Sequence, residues 1–184
     1  MGFKVILWIT PFVNTDSDNF KFLEQNEYLV MKKNSSEAAL LSWWGGVAGL
    51  IDLTNPNANK WYTETLLKLK EEYGVDGFKI DGGDAKFQPE LEISRWYDYQ
   101  GASGYTDLLL SSVEAAVPGM CETRTAWISQ KRSVVWRQGG KDTHWGENNG
   151  LKALVNYGIY MAMTFSFPIW LAAECIRYVR TIPQ

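Results

Sequence analysis

The feature that most constrains the fold is an apolar segment, residues 75–81, that is predicted to be a strand and follows a well-marked helix. Asn55 is a good N-cap for that helix, Pro56 fits its first turn, and Gly74 is typical of its end. Within this helix Tyr62, Leu66, Leu69 and Tyr73 recur at helical spacing and are expected to face inward.

Strands are also predicted at residues 3–13, which are apolar enough to be buried on both faces, and at residues 120–125 and 133–138. Helices are predicted at 105–116 and 150–163, and residues 14–40 are expected to be an irregular loop with one short helix at 18–25. Because strands that alternate with helices form parallel sheets, the sequence predicts an α/β fold.

The strand at residues 75–81 ends in a carboxylate, Asp81, which Gly82, Gly83 and a second carboxylate, Asp84, follow directly. In (β/α)8 barrels the active site lies at the C-terminal ends of the strands, and a complete barrel needs roughly 250 residues. This chain has 184 residues. We therefore expect a partial (β/α)8 TIM barrel with roughly half of its strands.

Composition narrows the class of function. The net charge is -3 and charges of both signs are spread along the chain, which argues against a nucleic-acid or anionic-membrane surface. Nine Trp, nine Tyr and eight Phe suit a carbohydrate site, although aromatic residues also fill cores. The apolar stretch 154–170 is interrupted by polar residues and Pro168, so no membrane segment is expected. Two cysteines make no disulfide scaffold, and Cys121 is predicted to be a buried thiol.

Asp81 is placed as the nucleophile of a retaining glycosidase would be, although such an aspartate can also simply cap the following loop. These enzymes use two carboxyl groups about 5 Å apart. Lys79 alternates with Asp81 and should point the same way, where its charge would favour the carboxylate form. A metal held by Asp81 and Asp84 is an alternative, but His144 is the only histidine and no phosphate-binding loop is present. We therefore expect neither a metal nor another cofactor.

Residues 78–84, Phe-Lys-Ile-Asp-Gly-Gly-Asp, resemble the nucleophile motif of glycoside hydrolase family 31. Residues 8–13, Trp43-Trp44 and residues 52–56 are similar to other motifs of the family in order and spacing, nearest to its α-galactosidase-like branch. The resemblance implies a retaining α-glycosidase that hydrolyses terminal α-linked galactose or glucose through a covalent glycosyl–Asp81 intermediate.

The same resemblance implies roles for three more side chains. Trp44 corresponds to a sugar-binding tryptophan, Asp84 to the acidic residue that closes the nucleophile motif, and Arg124 to an arginine that contacts both nucleophile and sugar. Without the resemblance, the sequence is also compatible with a surface arginine at position 124 that pairs with Glu122.

The acid/base residue departs from the family pattern. In the alignment that the motifs imply, the family's acid/base aspartate falls on Gly140, which cannot donate a proton. Asp142, two positions further on, is our first candidate for the role, and Glu147 is the second.

Residues 1–163 are expected to form a partial catalytic domain, and residues 164–184 resemble a later segment of the same domain. On this basis we expect a shortened fragment that is inactive alone. The alternative is a non-catalytic sugar-binding or interaction protein on the same scaffold. Gly140 favours this alternative, because a glycine cannot donate the proton. The expected partner is a carbohydrate and not nucleic acid. A glycosylation sequon at Asn34 weakly favours the secretory pathway.

Overall fold

The computed structural model describes residues 2–125, 128–140, 144–164 and 169–170. The chain divides into two compact units, Met1–Val134 and Val135–Gln184. Within the described residues the strands are β1 (Ile6–Ile9), β2 (Phe12–Asn14), β3 (Met31–Lys32), β4 (Leu40–Trp43), β5 (Gly46–Leu50), β6 (Gly77–Ile80), β7 (Ser94–Arg95), β8 (Cys121–Thr123), β9 (Val135–Arg137) and β10 (Ile169–Trp170). The helices are α1 (Asp18–Gln25), α2 (Pro56–Tyr73), α3 (Ala102–Ala116) and α4 (Leu151–Thr164).

The first unit is organised around a parallel sheet in the order β1-β6-β8. Ile9 lies beside Ile80, and Ile80 lies beside Thr123, so the three strands end at nearly the same level. Phe78 and Ile80 are fully buried in the middle strand. The parallel α/β arrangement predicted from the sequence is confirmed, and the four predicted strand positions each contain a parallel strand.

Helix α2 forms as its sequence signals predict. The Asn55 side chain accepts a hydrogen bond from the Asn57 amide at 3.0 Å, and Gly74 ends the helix in the left-handed conformation, with φ 63°. Tyr62 and Leu66 are buried, as expected from their spacing along the helix. Tyr73, predicted to face inward with them, is 66% exposed. That prediction was wrong because the residue stands at the last position of the helix, beyond the packed turns.

Residues 3–13 were predicted to be one strand buried on both faces, and this prediction was wrong in two respects. The segment is divided into β1 and β2 at Thr10-Pro11, where proline supplies no amide for a ladder. Strand β1 is also the edge of its sheet among the described residues, and Ile6, Leu7 and Trp8 are 36–43% exposed. Apolar composition therefore predicts the strand correctly here, but it does not predict how much of the strand is buried.

An antiparallel sheet in the order β2-β5-β4 follows the break at Pro11. The sequence analysis treated residues 14–40 as an irregular loop with one helix. Helix α1 is found at the predicted residues, but strand β3 and most of the antiparallel pairing were not predicted. Two-residue strands such as β3 and β7 carry too little periodicity to stand out in a sequence.

Cys121 confirms the prediction of a buried thiol. It lies in β8 at 4% exposure, and burial raises the pKa of its thiol to about 11. In a Cys175→Ser background, alkylation of the folded chain by iodoacetamide at pH 8 should be about a hundredfold slower than in denaturant, because thiolate is the reacting form. Equal rates in the folded and denatured chains would contradict the buried placement.

The second unit contains the parallel pair β9 and β10 and the helix α4. Strand β9 lies within the predicted strand 133–138, and α4 closely matches the predicted helix 150–163. Residues 141–143 and most of the tail 164–184 lie outside the described residues, so the structure gives no account of Asp142. In the part of the chain that is described, no helix is both long and apolar enough to cross a membrane.

Candidate active site

The candidate site is built where the strands of the parallel sheet end. Asp81 follows β6 directly, and Arg124 follows the neighbouring strand β8. Trp8 lies on β1, on the other side of β6, in register with Lys79. Because parallel neighbours end at the same edge of a sheet, three separate segments bring their side chains to one place.

Both oxygens of the Asp81 carboxylate are contacted. The indole Nε1 of Trp8 donates a hydrogen bond to Oδ2 at 3.0 Å, and the amide of Gly82 donates one to Oδ1 at 3.1 Å. The Nε of Arg124 also lies 3.1 Å from Oδ1, without the alignment of a hydrogen bond, so this contact is mainly one of charge. The Asp81 side chain is 13% exposed. It is thus held from two sides while it keeps access to solvent.

Arg124 joins the two carboxylates that the sequence analysis singled out. One of its terminal nitrogens donates a hydrogen bond to Asp84 Oδ2 at 2.6 Å while its Nε faces Asp81. Arg124 therefore pairs with Asp81 and Asp84 rather than with Glu122, which is buried in β8. The structure brings together the expected nucleophile, the acidic end of its motif and the expected arginine.

The turn between the two aspartates depends on its glycines. Gly82 and Gly83 have φ values of 80° and 76°, which side chains rarely adopt. Their carbonyl oxygens each accept a hydrogen bond at 3.0 Å from a buried threonine, Thr125 for Gly82 and Thr106 for Gly83. The backbone that carries the two aspartates is therefore fixed on both sides of the turn.

Trp44 belongs to an aromatic group beside the carboxylates. The Arg124 guanidinium lies over its ring at 4.9 Å, and the rings of Phe12, Trp43 and Phe87 are within 5.0–6.3 Å. Trp44 is still 54% exposed. The sequence-predicted sugar-binding tryptophan thus lies at the site, with aromatic surface open to solvent.

Lys79 is half-buried on β6, two residues before Asp81. Among the described residues no ion pair joins its ammonium to Asp81, which pairs with Arg124. The expected electrostatic support of Asp81 by Lys79 stays a prediction, because charges also interact beyond the range of an ion pair. A role for Lys79 in substrate binding stays a prediction.

Two contacts at the site were missed in the sequence. Trp8 and Trp43 were noted only as parts of motifs, whereas Trp8 contacts the Asp81 carboxylate and Trp43 stacks on Trp8. Trp8 reaches Asp81 because it is in register with Lys79, which lies two residues before Asp81 on the neighbouring strand. Nothing in the sequence alone indicates the register that places it there.

Asp52 supports the loop that follows the site. Burial raises the pKa of this carboxyl, and its hydrogen bonds with Thr54 and with the Tyr97 amide act in the opposite direction. The Thr54 hydroxyl also accepts a hydrogen bond from the Asp98 amide at 2.9 Å. The segment 52–54 thus anchors residues 97–98.

The acid/base candidates lie in the second unit. Glu147 is in a turn before α4 rather than within the helix, its side chain is 80% exposed, and it pairs with Lys152 at 3.3 Å. Asp142 lies outside the described residues. Among the described residues, no group of three or more His, Cys, Asp or Glu side chains is arranged to hold a metal ion.

Comparison with known proteins shows the family and the fold of the chain. Residues 1–168 match the sequence model for the glycosyl hydrolases family 31 TIM-barrel domain. The myogenesis-regulating glycosidase of Mus musculus is 30% identical over 84% of this chain and 21% of its own length. The sulfoquinovosidase of Escherichia coli K12 is 26% identical over 89% of this chain and 25% of its own. The chain thus spans about a fifth to a quarter of these relatives.

Solved structures share the fold at lower identity. A family 31 sulfoquinovosidase from E. rectale, in complex with an aza-sugar inhibitor, superposes with a TM-score of 0.69 at 18% identity, covering 80% of this chain and 23% of that one. The family 31 dextranase of Flavobacterium johnsoniae, complexed with glucose, gives 0.68 at 20% identity, covering 85% and 21%. With the sequence match over residues 1–168, these likenesses confirm the resemblance: the chain belongs to glycoside hydrolase family 31 and is part of its TIM-barrel domain.

Proposed function

We propose that this chain carries the nucleophile side of a retaining α-glycosidase that releases terminal α-linked galactose or glucose. The observation that carries the proposal is the placement of Asp81. This carboxylate ends a parallel strand, stays partly accessible, and has both oxygens contacted by Trp8, Gly82 and Arg124. Such an arrangement orients a carboxylate for attack without enclosing it.

In the proposed reaction a carboxylate oxygen of Asp81 attacks the anomeric carbon of the sugar. The bond from that carbon to the leaving oxygen breaks, and the leaving oxygen takes a proton from the acid/base residue. Water then gives up a proton to the same residue and attacks the anomeric carbon, which frees Asp81 and returns the sugar with its original configuration. The positive charge of Arg124 stabilises the Asp81 carboxylate before it attacks and again when it is released from the intermediate.

The remaining site residues suit a sugar. The open surface of Trp44 offers an aromatic face for a pyranose ring, and Asp84 and Arg124 can accept from or donate to hydroxyl groups. Named relatives include an α-xylosidase, a 1,3-α-isomaltosidase and a sulfoquinovosidase, so the sugar varies within the family. Galactose or glucose is our proposal from the motif resemblance.

For the proton donor we propose Asp142, with Glu147 as the second choice. The preference rests on the sequence, in which Asp142 is two positions from Gly140, whereas the Glu147 carboxylate is exposed and paired with Lys152. A proton donor matters most for a poor leaving group such as the alkoxide of an alkyl glycoside. Fluoride, in contrast, departs without protonation.

Leaving-group dependence tests the acid/base assignment. In an active form of the protein, Asp142→Asn should lower kcat/KM for an alkyl α-glycoside by about 100-fold or more while it leaves kcat/KM for the glycosyl fluoride within a few-fold, because kcat/KM reports formation of the intermediate and not its hydrolysis. Glu147→Gln is the matched variant and should change neither. If both variants hydrolyse the alkyl glycoside at the parent rate, neither residue is the proton donor.

The function itself is tested by nitrophenol release from a panel of α-galactosides and α-glucosides. The assay is run on this chain and on a longer polypeptide that adds the other strands of the barrel. We expect turnover by the longer form, with one of the two sugars preferred. Sugar binding without turnover by either form would overturn the proposal.

The second candidate is a sugar-binding protein without catalysis, and Gly140 is the observation that favours it. If no residue supplies the proton, the site still binds a sugar at Trp44 and Arg124. A protein without catalysis leaves both the glycosyl fluoride and the alkyl glycoside unhydrolysed while sugar binding persists, whereas loss of the proton donor alone spares the reaction of the glycosyl fluoride with Asp81.

A further inference from the structure

The orientation of Asp81 depends on two side chains that are themselves free to rotate. Its Oδ2 receives the Trp8 indole, and its Oδ1 faces Arg124. Among the described residues, the Gly82 amide supplies a backbone contact to the same carboxylate. What fixes Trp8 and Arg124 therefore decides how the carboxylate is presented.

Trp8 is fixed by Trp43. The two indole rings are stacked, with centroids 6.2 Å apart and planes 7° from parallel. Trp43 is itself tied down, because its Nε1 donates a hydrogen bond to Asn14 Oδ1 at 2.8 Å and Asn14 Nδ2 donates one to the Gly45 carbonyl at 2.9 Å. The ring that supports Trp8 is thus anchored to the antiparallel sheet.

Arg124 is supported by Trp44. Its guanidinium lies 4.9 Å from the centre of that ring, and Phe12 and Phe87 contact the ring edge-on. Stacking on an aromatic face restricts the planar guanidinium in a way that a simple ion pair does not. The second contact to Asp81 therefore depends on the residue next to Trp43.

Trp43 and Trp44 stand together where β4 turns back into β5. The turn is tight: a Cβ on Gly45 would lie 2.4 Å from the Trp43 ring and would push that ring out of place. Trp8 and Trp44 are 43% and 54% exposed, so filling a core does not explain why these rings are gathered here.

We propose that Trp43 and Trp44 are positioning residues that hold Asp81 from its two sides, Trp43 through Trp8 and Trp44 through Arg124. The hairpin β4–β5 acts as one support for both oxygens of the carboxylate. The catalytic meaning of this arrangement rests on the proposed function, in which Asp81 is the nucleophile. The arrangement can be tested without turnover.

The experiment follows hydrogen exchange of indole N–H groups in the 184-residue chain labelled with ¹⁵N at tryptophan and arginine. Trp8→Phe identifies the Trp8 signal among the nine tryptophans. In the parent chain the Trp8 N–H should exchange more slowly than that of Trp145, which is 78% exposed. Trp43→Ala and Gly45→Ala should each speed Trp8 exchange by about 2- to 10-fold, the range that corresponds to an aromatic pair.

Three controls separate positioning from general damage. Trp43→Phe keeps a ring against Trp8 and should restore most of the protection. Trp96→Phe, a change of an indole that packs on Tyr99 and Tyr105 away from Trp8, should leave Trp8 exchange unaltered. Trp44→Ala should alter the Nε–H signal of Arg124 and leave the Trp8 signal much less affected.

The inference is overturned if Trp8 exchange is the same in the parent, Trp43→Ala and Gly45→Ala chains while their spectra remain folded. If Trp43→Ala does not fold, Gly45→Ala alone decides, because it retains both tryptophans. If Trp8 responds as described but the longer, barrel-completed form shows no turnover, the positioning role is supported and only the proposed function is contradicted.

Discussion

Asp81→Asn is expected to lower turnover of an aryl α-glycoside by about 10⁴-fold or more, as loss of a nucleophile does in other enzymes with covalent intermediates. Asparagine has nearly the same shape and can still accept the Trp8 hydrogen bond, so the fold should persist. The measurement is kcat/KM of the active, barrel-completed form, with the folded state checked by its unfolding curve.

The matched control for this substitution is Asp76→Asn. Asp76 lies at the opposite end of the same strand and pairs with Lys4 at 2.7 Å on the surface. Its change should alter kcat/KM by less than about twofold, because exposed ion pairs contribute little. Equal losses in both variants would mean that the strand, and not the Asp81 carboxylate, is what the activity requires.

Gly77→Ala is expected to have the largest effect on stability. Gly77 begins β6, and an added Cβ would lie 1.7 Å from the carbonyl oxygen of Met120, which accepts the Phe78 amide at 3.1 Å. Backbone atoms cannot swing aside as side chains do, so β6 and β8 would have to separate. We expect a loss of about 3 kcal/mol or more in the free energy of unfolding, at the upper end of overpacking changes.

Urea unfolding of the chain measures this loss, with Gly139→Ala as the matched control. A Cβ on Gly139 meets no atom within 4 Å, and this variant should unfold within about 0.5 kcal/mol of the parent. A Gly77→Ala midpoint equal to that of Gly139→Ala would show that β6 and β8 are not paired as described.

Much of the fold was predictable because its signals are local. The N-cap at Asn55 and the left-handed Gly74 bracket α2, and both act within one turn of helix. The strand that ends at Asp81 was visible because a short apolar run is interrupted at once by glycines and carboxylates.

What was missed depends on pairing between distant segments. Nothing within residues 40–50 reveals that β5 lies between β2 and β4, since strand partners are set by register and not by composition. The exposure of β1 could not be predicted either, because the sequence of an apolar strand does not distinguish a central strand from an edge strand.

The candidate site divides in the same way. Asp81 could be named in advance because it directly follows a strand, where barrel enzymes place catalytic side chains. The roles of Asp84 and Arg124 were predicted only through the family resemblance, and the structure places both beside Asp81. The contact from Trp8 could not be named, because it depends on the register of β1 against β6 and on the stacking of Trp43.

The most direct test of the central claim is to trap the intermediate on Asp81. A 5-fluoroglycosyl fluoride of the preferred sugar carries a leaving group that needs no proton, so the test does not depend on which residue is the acid/base. The protein is incubated with this reagent, digested, and examined by mass spectrometry. We predict one added fluoroglycosyl group, on the peptide that contains Asp81, and none on the Asp81→Asn variant. A label on another carboxylate, or sugar binding with no label at all, would contradict the assignment of Asp81 as the nucleophile.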